Sequence, residues 1–131
     1  MLKHFSKIGV AVVFLLSISQ AYGQKSTEIF IPVGKSPGLS GKYTVLGKIE
    51  TVNAQNQTIT IADPSGSYTV KISKKTQIWL DNSKLKKTNQ KGTFADLRKD
   101  LLAEIKFEEN KRKDLGTAEW VKVQITEPGG K

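Results

Sequence analysis

The feature that most constrains the fold is the alternation of apolar and polar residues along the chain after Lys42. A period of two is typical of β-strands that bury one face and expose the other. Five segments have this period, and the first three are close enough together to form an antiparallel meander. The side chains predicted to point inward are Tyr43, Val45, Gly47, Ile49, Ile59, Ile61, Tyr68, Val70, Ile72, Ala103, Ile105, Phe107, Val121, Val123 and Ile125.

Turn and cap residues separate these segments. Residues 53–56 and 63–66 are rich in Asn, Asp, Gly and Pro, which favour tight turns. Thr93 followed by Asp96 is a capping pattern, and it predicts one short helix from Phe94 to Lys99. Three strands, a short helix and two strands is the element order of the OB-fold. We therefore predict an all-β chain with one short helix, in a small five- to six-stranded OB-like barrel; an open sheet or small sandwich is the alternative.

The N-terminus has the features of a secretory signal peptide. Lys3 and Lys7 precede an apolar stretch, residues 8–16, which is shorter than the roughly 20 residues that a bilayer-spanning helix needs. Ala21 and Gly23 are small enough for a cleavage site before Gln24. The predicted organisation is a signal peptide (1–23), an irregular leader (24–40), a barrel domain (41–126) and a tail (127–131). The protein is expected to be secreted or periplasmic, with no stable membrane span.

Composition excludes several kinds of chemistry. Cleavage would leave 108 of the 131 residues and a net charge of +7, because the signal peptide has two lysines and no acidic residue. The chain has no cysteine, and its one histidine, His4, lies in the signal peptide. Disulfides, thiol or histidine nucleophiles and Cys/His metal sites are therefore excluded, and we expect no cofactor and no metal. Carboxylates such as Glu104 and Glu119 alternate with lysines as ordinary surface pairs, so no catalytic residue is predicted.

Two tryptophans are the strongest candidates for ligand binding. The alternation that buries Ile78, Val121 and their neighbours directs Trp79 and Trp120 to the outside of the barrel, where OB-folds stack ligands on aromatic rings. The accompanying basic candidates are Lys74, Lys75, Lys84, Lys86, Lys87 and Lys122. Alternatively, the leader or the helix covers the tryptophans and completes the core. The lysine loop, residues 83–92, is either an anion clamp or a solvated loop.

One set of core and turn positions resembles a known group of proteins. These positions are Gly47-x-Ile49, Thr58-Ile59-Thr60-Ile61, Val70-x-Ile72, Thr76-x-Ile78, Phe94-x-Asp96-Leu97, Glu104-Ile105 and Ala118 to Val123. They resemble the small exported bacterial OB-fold-like domains over residues 41–125. Asp100 stands where that pattern usually has a glycine, and Asp tolerates the left-handed conformation better than most residues. The resemblance implies a binding or assembly role in the cell envelope and no catalytic residue.

The leading hypothesis is a non-enzymatic, exported binding module that holds an anionic or polymeric ligand on an outer Trp/Lys face. The ligand could be an acidic glycan, a phospholipid headgroup or nucleic acid. Alternatively, the protein is an assembly partner in the envelope whose apolar leader residues, Ile29 to Val33, add to another protein. A small hydrolase is the third and weakest hypothesis.

Overall fold

The computed structural model describes residues 27–127, and the whole of that range belongs to one seven-stranded sheet with its connections. The predicted signal peptide, the first residues of the leader and the tail from residue 128 lie outside the described residues. The strands run in the order β3-β2-β1-β6-β7-β4-β5. Their bounds are β1 Thr44–Asn53, β2 Thr58–Asp63, β3 Gly66–Lys71, β4 Gln77–Asp81, β5 Gln90–Lys91, β6 Leu102–Phe107 and β7 Ala118–Gln124.

The sheet closes on itself where β3 and β4 meet β7. Lys71, the last residue of β3, pairs in parallel with Thr117, and its N–H donates to the Gly116 carbonyl over 2.8 Å. After a short turn, β4 continues in parallel along β7. In the gap between them, the Thr76 hydroxyl donates to the Ala118 carbonyl over 2.7 Å. The predicted all-β, OB-like barrel is confirmed, and it has seven strands because β4 and a short β5 add to the five segments that the alternation identified.

The core lies inside the barrel and consists mainly of side chains that the alternation predicted to point inward. Isoleucines and valines of β1, β2, β3, β6 and β7 form one buried cluster with Phe107 and Leu97. Gly47 lies at the closest approach of β1 to β2, where an added Cβ would sit 1.7 Å from the Ala62 carbonyl oxygen. Tyr43, which was predicted to begin the first strand, precedes β1 and is only partly buried.

The predicted helix from Phe94 to Lys99 is wrong in extent, because only a 3-10 turn, Phe94–Asp96, forms there. The predicted cap is present, and the Thr93 N–H donates to Asp96 Oδ2 over 2.7 Å. The chain then extends so that Leu97 enters the core. The Ile49 carbonyl of β1 accepts from the Asp100 N–H, and the Ile49 N–H donates to the Leu101 carbonyl. These two bonds pair Asp100 and Leu101 with β1, so the helix does not continue. Asp100 adopts the expected left-handed conformation, with φ of 73°.

Candidate functional site

The described part of the leader is anchored on the outer face of β6, β7 and β4. The Val33 N–H donates to Asp81 Oδ2 over 2.8 Å, and the Gly34 N–H donates to Glu104 Oε1 over 2.9 Å. The two carboxylates come from β4 and β6, on either side of β7. Gly34 has φ of 79°, a left-handed conformation that glycine adopts without strain. This turn lets two successive amides reach two different strands.

Lys122 of β7 is fully buried beneath the leader. Its ammonium donates to Glu28 Oε1 over 3.0 Å and to the Ile31 carbonyl over 2.8 Å. The Ser36 hydroxyl also donates to Glu28 Oε1. A buried ammonium is tolerated only when it is paired and hydrogen-bonded. Lys122 therefore joins the barrel to the leader, and it does not extend to a ligand in solution.

Glu104 lies opposite Lys122 on the neighbouring strand and is also fully buried. Besides Gly34, it binds the Thr44 hydroxyl, which donates to Oε2 over 2.8 Å. The alternation correctly directed Glu104 out of the barrel interior, but its assignment to a solvated surface pair is wrong because the leader covers it. We call the outer surface formed by Trp79, Asp81, Glu104, Trp120 and Lys122 the covered face.

Trp79 and Trp120 form the apolar part of the covered face. Their ring centroids are 5.5 Å apart with the planes tilted by 31°. The Lys122 ammonium lies 4.8 Å from the Trp120 centroid and 5.9 Å from that of Trp79, within the range of a cation–π interaction. The two side chains retain only 7% and 3% exposure. The structure thus has the covered arrangement that was the alternative to an exposed tryptophan face.

The eight candidate site residues do not form one continuous surface. Lys74 and Lys75 are exposed in the turn before β4, whereas Lys84, Lys86 and Lys87 are exposed after it. The five residues of β4 separate the two groups by roughly 15 Å at about 3.3 Å per residue. Between the groups lie Trp79, Trp120 and Lys122, beneath the leader.

The lysine loop has a defined conformation that is held at its base by Asn82. The Asn82 N–H donates to Asn89 Oδ1 over 2.6 Å, and its side-chain amide donates to the Thr88 carbonyl over 3.0 Å. The Lys87 N–H returns to the Asn82 carbonyl over 3.2 Å. Lys86 is left-handed, with φ of 57°, and Leu85 packs against the core. These contacts fix the backbone that carries the lysines.

The charged side chains of the lysine loop all have the same sign. Residues 83–92 contain four lysines and no acidic residue. Within residues 27–127, none of Lys84, Lys86, Lys87 and Lys91 forms an ion pair. The carboxylate that ends β4, Asp81, is buried in the covered face, where it accepts from the Ser83 and Val33 amides. Lys84, Lys86 and Lys87 therefore present positive charge that no ion pair within the described residues offsets.

Sequence reasoning missed Glu28 and Asp81, two carboxylates that join the leader to the barrel. Asp81 follows the apolar run of Ile78 to Leu80, and the alternation directs it outward but does not indicate that the leader covers it. Glu28 precedes the apolar leader segment but has no periodic pattern of its own. Its pairing with Lys122, 94 residues away, is visible only in three dimensions.

The described residues contain no cluster suited to a metal ion, since no three His, Cys, Asp or Glu side chains in residues 27–127 are grouped closely enough to hold one. In the same range, no helix is long and apolar enough to cross a membrane.

Comparisons with known proteins gave two similar solved structures. No protein-family model matches the sequence, and no curated protein matches it. A tryptophan-to-alanine variant of CusF from Escherichia coli with Cu(II) is 13% identical, with a TM-score of 0.42, covering 62% of this chain and 89% of that one. CusF with Ag(I) is 11% identical, with a TM-score of 0.40, covering 61% and 93%. Function is therefore inferred from the residues of this chain.

Proposed function

We propose that this protein is an exported, non-enzymatic binding module that holds an anionic ligand on the lysine loop. The observation that carries the proposal is the combination of four unpaired lysines with an ordered backbone in residues 83–92. Lysine is a general binder of phosphate, sulfate and carboxylate groups, because its ammonium is a compact point charge with three donors. We therefore expect the loop to recognise ligands by the density of their negative charge and not by a particular molecular shape.

The covered face supports this function indirectly. Asn89 of the lysine loop donates to the Ile29 carbonyl of the leader over 3.0 Å. The leader in turn is fixed by Lys122, Asp81 and Glu104. Trp79 and Trp120 are thus assigned a positioning role beneath the leader, and the ligand contacts are assigned to Lys84, Lys86 and Lys87. A role for the leader as a segment donated to a partner protein is less favoured, because the Val33 and Gly34 amides and the Ile31 carbonyl bind this chain's own barrel.

The test is binding to a soluble polyanion, such as a polyphosphate chain, measured over a range of salt concentrations. Each lysine that contacts an anionic group makes affinity more salt-dependent, through release of counter-ions. Substituting Lys84, Lys86 and Lys87 together with Gln should weaken binding at least about tenfold at low salt and flatten the salt dependence.

The matched control replaces Lys71, Lys74 and Lys75 with Gln, which removes the same charge from the end of β3 and the turn that leads into β4. All three are exposed and none forms an ion pair within residues 27–127. The control variant should keep most of the affinity. Equal losses in both variants would mean that the net charge, and not the lysine loop, determines binding.

A further inference from the structure

We propose that the lysine loop and Phe30 together dock the protein on an anionic phospholipid surface. This inference rests on the proposed function, because it names the partner of the same loop. The lysines would contact lipid headgroups, and the Phe30 ring would enter the boundary between headgroups and acyl chains.

Phe30 is an exposed aromatic side chain beside the lysine loop. It retains 60% exposure, and the other described aromatic side chains are buried or partly buried. The backbone on both sides of Phe30 is held by hydrogen bonds. The Ile29 carbonyl accepts from the Asn89 side-chain amide of the loop, and the Ile31 carbonyl accepts from the Lys122 ammonium. The protein thus holds an apolar ring in water next to its lysines.

The charges around Phe30 favour an anionic surface. Glu28 is the acidic residue of the same 3-10 turn, and its side chain is turned inward to Lys122, with 18% exposure. The lysine loop contributes four ammonium groups and no carboxylate. An apolar ring beside a lysine-rich loop is typical of peripheral membrane-binding segments, in which each lysine near an anionic bilayer contributes about fivefold to affinity.

A membrane fits this surface better than a nucleic acid. Single-stranded nucleic acid is bound by several aromatic platforms in succession, and here the tryptophans that could extend the surface are covered. The loop's basic groups are all lysines, which lack the bidentate geometry with which arginine reads bases and phosphates. A single exposed ring suits shallow insertion into a lipid surface.

The experiment measures co-sedimentation of the exported protein with phosphatidylcholine vesicles that contain phosphatidylglycerol, and with vesicles of phosphatidylcholine alone. The wild type should bind only the anionic vesicles. Phe30→Ala should weaken vesicle binding on the order of tenfold while its affinity for soluble polyphosphate stays within about twofold. Lys84→Gln, Lys86→Gln and Lys87→Gln together should weaken binding to both ligands, by roughly 100-fold for the vesicles.

Leu115→Ala is the matched control, because Leu115 is the other strongly exposed apolar residue, at 57%, and lies in the loop before β7. This variant should bind vesicles as the wild type does. A Phe30→Trp variant gives a second readout: its added tryptophan should show a blue shift of emission on anionic vesicles, since the native tryptophans are already buried.

The outcomes separate the two proposals. If Phe30→Ala binds vesicles as well as Leu115→Ala does, or if the Phe30→Trp emission stays unshifted, membrane docking is overturned and polyanion binding by the loop stands. Polyphosphate binding without any binding to anionic vesicles also overturns membrane docking and leaves polyanion binding in place. If the triple lysine variant keeps full polyphosphate affinity, the proposed function itself fails.

Discussion

At the scale of single residues, Lys122 has the most demanding environment in the described chain. Its ammonium is fully buried and has one carboxylate and one carbonyl as hydrogen-bond partners, with two indole rings beside it. Breaking a buried ion pair by removing one partner costs about 3–5 kcal/mol, because the other charge is left uncompensated. Lys122→Met should therefore lower the free energy of unfolding by about that amount, as measured by urea denaturation.

Lys106 is the matched control for this change, since it lies on the same outer side of the neighbouring strand. Its ammonium pairs with Glu119 over 2.9 Å, but that pair remains partly exposed. Exposed pairs contribute about 1 kcal/mol or less. Lys106→Met should thus cost much less than Lys122→Met. Similar costs at the two positions would argue against a structural role for the Lys122–Glu28 pair.

Asp63 gives a second residue-scale prediction, which concerns pH. Hydrogen bonds from the Ser65 hydroxyl and backbone N–H, with the Arg112 guanidinium nearby, lower the pKa of Asp63 below its usual value of 3.8. A depressed folded-state pKa adds stability that is present above pH 3.8 and is lost as pH falls through the folded-state value. Asp63→Asn should be slightly less stable than the wild type at neutral pH.

This difference between Asp63→Asn and the wild type should shrink as the pH falls from 3.8 through the lowered folded-state pKa, because only below the latter is Asp63 protonated in both the folded and unfolded states. Urea denaturation at neutral and acidic pH measures it. A difference that stays constant, or grows in acid, would mean that the charge of Asp63 has no part in its effect.

At the scale of elements, the leader behaves as a structural layer of the barrel. Its Val33 and Gly34 amides are bound by carboxylates that are themselves fully buried. A hydrogen bond to a charged group contributes about 1.5–3 kcal/mol. Asp81→Ala and Glu104→Ala should each lower stability by about this amount and speed hydrogen exchange at the amide that loses its acceptor, Val33 or Gly34 respectively.

Asp96→Ala serves as the comparison, because Asp96 caps a 3-10 turn away from the leader. It should leave exchange at Val33 and Gly34 unchanged while weakening the Thr93 cap. Faster leader exchange in Asp96→Ala, to the extent seen in Asp81→Ala, would show that global unfolding and not the local acceptor controls these amides.

The sequence predicted the strands well because their information is local. Alternation through Ile59 and Ile61, or Val121 and Val123, indicates which side chains face inward without knowledge of the partner strand. It could not predict what lies on the outer side. Lys106 and Lys122 are both outward lysines of adjacent strands, yet one is partly exposed and the other buried, since only a segment far away in sequence covers the second.

The same limit explains the error at the predicted helix. The capping residues Thr93 and Asp96 are local and were identified correctly. The end of the turn is decided by Ile49, 45 residues before Phe94, whose backbone draws Asp100 and Leu101 into the sheet. Tertiary hydrogen bonding therefore overrode a helix signal that was only six residues long.

At the scale of the whole molecule, the exposed candidate lysines are divided between the two ends of β4, with the covered face between them. This division separates the lysine loop from Lys74 and Lys75, which the sequence had grouped into one face. Alternation indicates the direction of each side chain but not the distance between loops. The sequence therefore identified exposed lysines individually but could not show whether they lie together on one surface. Which end binds a ligand is decided by the matched lysine variants.

Unfolding of the whole molecule tests whether the leader and the barrel are one cooperative unit. The chain has two tryptophans, both in the covered face, so its tryptophan emission reports on the leader–barrel junction. Far-ultraviolet circular dichroism reports mainly on the strands. Because Lys122, Asp81 and Glu104 belong to the strands and bind the leader, detachment of the leader would break these bonds and expose the two indole rings to water. We expect the two signals to change at the same urea concentration in a single transition. A red shift of the emission that precedes the loss of strand signal would instead identify the leader as a separately opening lid.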